Sequence, residues 1–275
     1  MRIINQGSEA KAPKQKLDAK ITRLELGVLK NLILLFLVLT LALWCGSCAR
    51  TRVLVPEVVR PEEQPVCDVP HLQQELAEYE SELPRADEER NNFLIRLARL
   101  SFTLGELSSR NEKNQYFEKG RHYSETLTQE QPSWPEGHYW LALNMGGLAE
   151  QGGARRGLKM VSEIVAEMEK ALQGNPAYDQ AGPHRVLGRI YFECPQWPLS
   201  VGNLPESLSH LEAAVAIAPE NSTNHLFLAE TLFKVGKKQE AHQELEEVLK
   251  ATRHSLCAQF LEEDRQAAKR LLEKM

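Results

Sequence analysis

Three prolines recur at a nearly constant interval, and that interval constrains the fold of this chain more than any other feature. They stand in Gln131-Pro132, Asn175-Pro176 and Ala218-Pro219, 44 and 43 residues apart. Ser207, Leu211 and Ala214 precede Pro219 at offsets of 12, 8 and 5, and Met168 and Ala171 precede Pro176 at 8 and 5. A later unit lacks the proline but keeps the spacing through Leu228, Ala229, Leu232, Gly236, Ala241, Leu245 and Val248. Self-similarity at a fixed period of this length signals a stack of like units. No single unit buries its own apolar face, so several must pack side by side.

The elements within the units are helices. Leu72, Leu76, Tyr79 and Leu83 share one face at spacings of 4, 3 and 4, and Phe93, Leu94, Leu97 and Leu100 continue the period. No alternating strand pattern stands out. Four units are expected, at about 85–132, 133–176, 179–219 and 222–253, with a cap helix at 255–273. Leu187-Gly188 followed by Tyr191, and Leu141-Ala142 followed by Met145, resemble the first-helix core of the tetratricopeptide repeat. The resemblance implies an all-α solenoid of helical hairpins. Small residues at Gly188, Ala142, Ala229, Ala214 and Ala241 fit it, because closely crossing helices need room for a neighbour's bulky side chain. Two units carry apparent insertions. One runs from Gly146-Gly147 to Gly152-Gly153-Ala154-Arg155-Arg156-Gly157, and the other from Cys194 to Asn203.

The N-terminal region has a different character. Leu32 to Trp44 is thirteen residues without a charge, followed by Cys45-Gly46-Ser47-Cys48. Upstream lie Arg2, Lys11, Lys14, Lys16, Lys20, Arg23 and Lys30 against Glu9, Asp18 and Glu25. A basic segment, a short apolar run and small residues form the layout of an export signal. The cysteine after those small residues resembles the bacterial lipobox, which implies acylation of Cys48. As a helix the apolar run spans about 20 Å, short of the roughly 30 Å hydrocarbon core, which disfavours a full transmembrane span. An uncleaved signal anchor competes with the lipoprotein reading. A redox role for the Cys45–Cys48 spacing lacks the βαβ context that such chemistry uses. Residues 1–47 thus read as a signal peptide, 48–70 as an acylated proline-rich tether and 71–275 as the helical domain. Pro56, Pro61, Pro65 and Pro70 keep the tether extended, with a reach of roughly 60 Å.

Removing residues 1–47 leaves 26 basic and 35 acidic residues, a net of −9. That balance disfavours nucleic acid and anionic membrane surfaces as partners. Membrane contact is expected through acyl chains. Cys67, Cys194 and Cys257 do not make a disulfide framework. They read as an exposed thiol (Cys67) and two small core residues, with one bridge as the alternative in an oxidising compartment.

No catalytic constellation emerges, and no cofactor is expected. The eight His are scattered, and none falls in a metal-binding spacing. His138 and His184 occupy equivalent positions in successive units, where packing is a commoner role than a shared metal. Gly152-Gly-Ala-Arg-Arg-Gly157 lacks the phosphate-loop Lys-Ser/Thr; Arg155 and Arg156 read as an exposed turn or an anion-facing pair. The candidate contact residues for a ligand or partner are Trp140, Asn144, Tyr191, Trp197 and Asn203. Repeat packing competes for Trp140 and Tyr191. Trp197 stands apart, between Pro195 and Pro198 in the second insertion, with no helical register to bury it.

A closer resemblance covers Trp134-Pro-Glu-Gly-His-Tyr-Trp-Leu-Ala-Leu-Asn144, Gly182-Pro-His-Arg-Val-Leu-Gly-Arg-Ile-Tyr191 and Leu204-Pro-Glu-Ser-Leu-Ser-His-Leu-Glu212. These segments are similar to the repeat lipoproteins associated with TRAP-type transporters, their T component. The resemblance implies a non-enzymatic, periplasm-facing scaffold that partners a periplasmic solute-binding protein and forms homo-oligomers. Arg50 two places after Cys48 favours the outer membrane. An adaptor lipoprotein in outer-membrane protein or pilus assembly is the alternative. Cys48→Ala is expected to move the protein from the membrane to the soluble fraction. Unchanged fractionation with residues 1–47 retained identifies a signal anchor instead.

Overall fold

The computed structural model describes residues 67–84 and 88–275. The signal segment, Cys48 and most of the tether lie outside the described residues. Ten helices and no strand occur among the described residues: α1 Val69–Glu82, α2 Glu88–Leu107, α3 Arg110–Glu130, α4 Pro135–Gln151, α5 Ala154–Gly174, α6 Tyr178–Glu193, α7 Leu204–Ile217, α8 Ser222–Lys234, α9 Lys238–Lys250 and α10 Ala258–Leu272. None of them is long and apolar enough to cross a membrane.

The helices pair as hairpins α2/α3, α4/α5, α6/α7 and α8/α9, with α1 and α10 at the two ends. The first helix of each hairpin also packs on the first helix of the next, so α2, α4, α6, α8 and α10 run in sequence along one face. This is the all-α solenoid that the proline interval and the helical periodicity imply. The closing prolines work as expected. Gln131, Asn175 and Ala218 are the C-cap residues of α3, α5 and α7, each directly before its proline. A residue before proline is pushed out of the helical region, and proline has no N–H to continue the ladder.

The largest core cluster centres on α4, where Tyr139, Trp140, Leu141, Ala142 and Met145 meet Val161, Ile164, Val165 and Met168 of α5 and Leu187 of α6. Gly188 sits where α6 crosses α7. A Cβ there would lie 2.5 Å from Leu211 Cγ.

The structure corrects three expectations. The glycine-rich stretch after Ala142 is not a loop. Helix α4 continues through Gly146 and Gly147 to Gln151, and α5 begins at Ala154. Gly147 is a packing position, since a Cβ there would meet the Phe117 ring at 2.6 Å. The tether ends earlier than Pro70, because Val69 opens α1 and Pro70 lies in its first turn. Proline is tolerated there, where its missing N–H would have no helical partner, and Asp68 caps the helix by accepting the His71 N–H. Finally, Cys67 and Cys257 are not separate thiols but a disulfide, with Cα atoms 5.8 Å apart. Gln259 holds the same junction with two further bonds. Its Oε1 accepts the Cys67 N–H at 3.0 Å and its Nε2 donates to the Cys67 carbonyl at 2.8 Å. The chain before α1 is thereby fastened to the last helix.

Helix α6 has an unusual start. Asp179, Gln180 and Ala181 all have positive φ, at 48°, 58° and 63°. A left-handed backbone costs an L-residue roughly 1–2 kcal/mol at each position. Arg185, 5% exposed, offsets it. Its guanidinium donates to the Gln180 carbonyl at 3.0 Å, to the Asp179 carboxylate at 3.1 Å and to Asn224 Oδ1 at 3.2 Å. Tyr139 donates its hydroxyl to the same carboxylate at 2.6 Å. Three first helices, α4, α6 and α8, therefore converge on one arginine. Pro183 inside α6 is accommodated because it follows this turn and stands in the first turn of the regular helix.

Gly188→Leu should overpack the α6/α7 crossing and lower the unfolding free energy by about 1–3 kcal/mol. Chemical denaturation of the variant against the parent checks this, and equal midpoints would contradict the crossing geometry.

Candidate functional site

A groove of about 730 Å³ runs along the face made by first helices. Helix α6 supplies Arg189, Phe192 and Glu193, α8 supplies Glu230, Phe233 and Lys234, and the α10 end supplies Arg270, Leu271 and Lys274. These are the C-terminal ends of three successive first helices, so the stacking of hairpins itself builds the groove.

Its charges fall into two groups. Arg189 is held by Glu193 and Glu230 and lies over the rings of Phe227, at 4.4 Å, and Phe192, at 5.1 Å. It is a fixed part of the wall, because ion pairs and ring faces both restrain it. Lys234 donates to the Phe192 carbonyl at 3.1 Å and sits 4.0 Å from the centre of that ring. Arg270 and Lys274 have no carboxylate partner among the described residues, so positive charge is left to face the groove. Phe192, Phe233 and Leu271 give it apolar wall. The arrangement suits an extended segment that carries both acidic and apolar side chains.

The residues singled out from the sequence are dispersed. Trp140 and Asn144 are buried in α4 and are not open to a ligand. Trp140 donates its indole N–H to the Tyr178 hydroxyl at 2.9 Å, and Asn144 donates to the Trp140 carbonyl at 2.8 Å. Tyr191 is half-buried and stacked on His210, ring centres 5.6 Å apart. Asn203 is the N-cap of α7, accepting the Glu206 N–H at 3.4 Å. Trp197 is 85% exposed and Leu199 76%. Arg156 pairs with Glu118 at 3.6 Å, while Arg155 is exposed. The groove residues escaped sequence reasoning because they recur on no pattern stronger than the outward positions of three helices.

The histidines form a repeat-related set. His138 places Nε2 at 2.9 Å from the Pro132 carbonyl and Nδ1 at 2.5 Å from Glu167. His225 does the same, 2.7 Å from the Pro219 carbonyl and 2.6 Å from Glu244. Each clamps the closing proline of the preceding hairpin to the second helix of its own. His184, the equivalent residue, instead faces His210, with Nδ1 atoms 3.0 Å apart. His138 and His184 therefore have separate partners. No group of three or more His, Cys, Asp or Glu able to hold a metal occurs among the described residues.

Comparison with known proteins follows the same lines. Residues 199–261 match the family model for the tetratricopeptide repeat. A thermophilic tetratricopeptide protein of Thermus thermophilus superposes with a TM-score of 0.54 at 20% identity, over 73% of this chain and 92% of that one. The likeness shows a tetratricopeptide-like helical-hairpin fold, with the repeat itself matched over residues 199–261. Residues 69–200 match the model for the regulator of microtubule dynamics proteins 1–3. No curated protein matches the chain. The groove lies on the face made by the first helices of this solenoid.

The buried histidines make the fold acid-sensitive. Burial, with Arg185 close by, pushes His254 down to about 3. Its Nδ1 accepts the Leu256 N–H at 2.9 Å, a bond that protonation destroys. Burial also lowers His184, helped by His210, and lowers His210 itself. A histidine whose folded value is depressed contributes stability that is complete above about 6.5 and is lost as pH falls below it. Three groups oppose this trend, His225, Asp264 and Glu106, the last raised by burial. Burial works to lower His225, but Glu244 and the Pro219 carbonyl outweigh it and hold it raised, so His225 stabilises at low pH and loses that contribution as pH rises. Burial raises Asp264, against the Ser222 and Thr223 hydroxyls, so its protonation also favours the fold as pH falls. The His254 contribution is the largest, about 3 kcal/mol between pH 6.5 and 4. His254→Asn, whose side-chain oxygen falls near the Nδ1 position and can still accept the Leu256 N–H, should therefore lose less melting temperature than the parent between pH 7 and 4. Equal losses would remove His254 from this role.

Proposed function

We propose that this chain is a membrane-anchored scaffold that holds an extended acidic segment of a partner protein in the groove between α6, α8 and α10. The observation that carries the reading is the uncompensated positive charge of Arg270 and Lys274 beside Phe233 and Leu271, in a protein whose net charge is −5. A local basic surface on an acidic protein selects partners by charge complementarity. The anchor rests on the lipobox-like Cys48 and its apolar run. The Cys67–Cys257 disulfide supports an oxidising compartment, since such bonds do not persist in the reducing cytosol.

The finer reading is an accessory lipoprotein of a TRAP-type uptake system, facing the periplasm, with a periplasmic solute-binding protein as its partner. Its support is the likeness of residues 134–212 to the T component lipoproteins. Residues 69–200, matched by the model for regulators of microtubule dynamics, overlap that stretch and suggest a second reading, a scaffold in cytoskeletal regulation. The disulfide favours the first, because microtubules lie in the reducing cytosol. Selection of random peptides displayed on phage against the full chain should enrich sequences that combine Asp or Glu with aromatic residues. The double charge reversal Arg270→Glu, Lys274→Glu should weaken the selected peptides at least tenfold and leave melting unchanged. Enrichment of basic peptides, or indifference to the reversal, would sink the groove reading. Co-purification with a periplasmic solute-binding protein, against co-purification with a barrel-assembly or secretin complex, decides between uptake and the adaptor role in envelope assembly.

A further inference from the structure

We infer that the loop between α6 and α7 is a second, reversible contact with the membrane, in which Trp197 and Leu199 insert into a zwitterionic bilayer surface. The inference rests on the anchored reading of the chain, which tethers the helical domain to a bilayer.

Trp197 and Leu199 are the two most exposed large apolar side chains among the described residues. They lie two positions apart on one loop. Residues 194–205 contain no charged side chain, so no ionised group on the loop has to enter an interface. The pair also suits the depth profile of a bilayer. An indole belongs at the headgroup level, with its N–H toward water, and an aliphatic side chain belongs just beneath.

The loop is fixed rather than slack. Gly202 donates its N–H to the Pro195 carbonyl at 2.9 Å, Leu199 to Gln196 at 3.1 Å and Asn203 to Tyr191 at 2.9 Å. A Cβ on Gly202 would lie 2.1 Å from the Cys194 carbonyl oxygen, so the two arms of the loop approach as closely as glycine alone permits. Insertion of a pre-formed loop costs little ordering.

The occupant follows from charge and from the chain upstream. Glu193 and Glu206 flank the loop, and the chain beyond residue 47 is acidic, which disfavours an anionic surface and leaves a zwitterionic one. Two side chains hold a free protein to a bilayer only weakly. Here 22 residues separate Trp44, at the end of the apolar run, from Cys67, at the edge of the fold. A linker of that length makes the second contact intramolecular, at an effective concentration on the order of millimolar. Weak insertion is then enough to hold the domain to the surface.

The test uses the full chain reconstituted into phosphatidylcholine vesicles containing brominated acyl chains. Subtracting the emission of Trp197→Phe isolates Trp197 from the other tryptophans. The expected result is Trp197 emission shifted to the blue and quenched by at least half. Leu199→Glu should abolish the quenching without changing the melting temperature, and replacing a third of the lipid by phosphatidylglycerol should not deepen it. If the chain floats with the vesicles while Trp197 keeps its water-exposed emission, the inference fails, the anchor stands, and the loop is assigned to a protein contact. Quenching that requires phosphatidylglycerol also overturns it. If the chain does not float with the vesicles, the anchored reading and this one fall together.

Discussion

The rest of the solenoid hangs on the guanidinium of Arg185. It is buried, it carries a full charge, and it faces the Asp179 carboxylate, two backbone carbonyls, the Tyr139 hydroxyl and the Asn224 amide oxygen. A buried cation without these partners would be strongly destabilising. With them it does something that apolar packing cannot do. It holds three consecutive left-handed residues in place and so sets the angle at which α6 enters the stack. Asn224 extends the arrangement, donating to the Gln180, Ala214 and Ala218 carbonyls. One polar hub thereby fixes the spacing of α4, α6 and α8, and the groove takes its width from the latter two.

The groove separates structural charge from available charge. Arg189 is used up by two carboxylates and two aromatic rings and shapes the wall. Arg270 and Lys274 sit at the end of the last helix, where the fold makes no demand on them. The same division runs through the histidines. His138 and His225 join successive hairpins through a proline carbonyl and a glutamate, while the third hairpin puts His210 opposite His184. Two imidazoles in contact repel once both are charged, whereas an imidazole beside a carboxylate gains. The third hairpin, through His184 and His210, and the fourth, through His225, thus carry opposite responses to acid within one architecture.

Much of the fold was legible in the sequence because its rules are local. Proline ends a helix wherever it stands, so Pro132, Pro176 and Pro219 mark the hairpin ends. Leu187-Gly188 reveals a crossing because close helices need a missing side chain. Features that depend on distant partners were not legible. Gly146 and Gly147 look like a turn until the Phe117 ring on another helix is seen pressing against Gly147. Cys67 looks like a lone thiol because its partner is 190 residues away. Asp179-Gln180-Ala181 carries no glycine to announce positive φ; the cause lies in Arg185, Tyr139 and Asn224. The exposure of Trp197 was readable because two prolines rule out helical burial. Trp140 and Asn144 were misleading, since an aromatic and an amide on a helix look alike whether they face a ligand or the core. Arg270 and Lys274 were missed because lysine and arginine at a helix end are ordinary.

The junction of Cys67 with Cys257, backed by the two hydrogen bonds of Gln259, changes what kind of object the solenoid is. A stack of hairpins is ordinarily a zipper with two loose ends. Each terminal unit has one neighbour instead of two, and opening starts there and travels inward. Here the segment before the first helix is riveted to the start of the last one, so α1 and the start of α10 cannot peel away while the rivet holds. The array behaves as a clasped bracelet: individual links can loosen, but the string cannot be unstrung from its tips. Such an object ties the start of α10, the helix whose other end forms the far side of the groove, to the rest of the array.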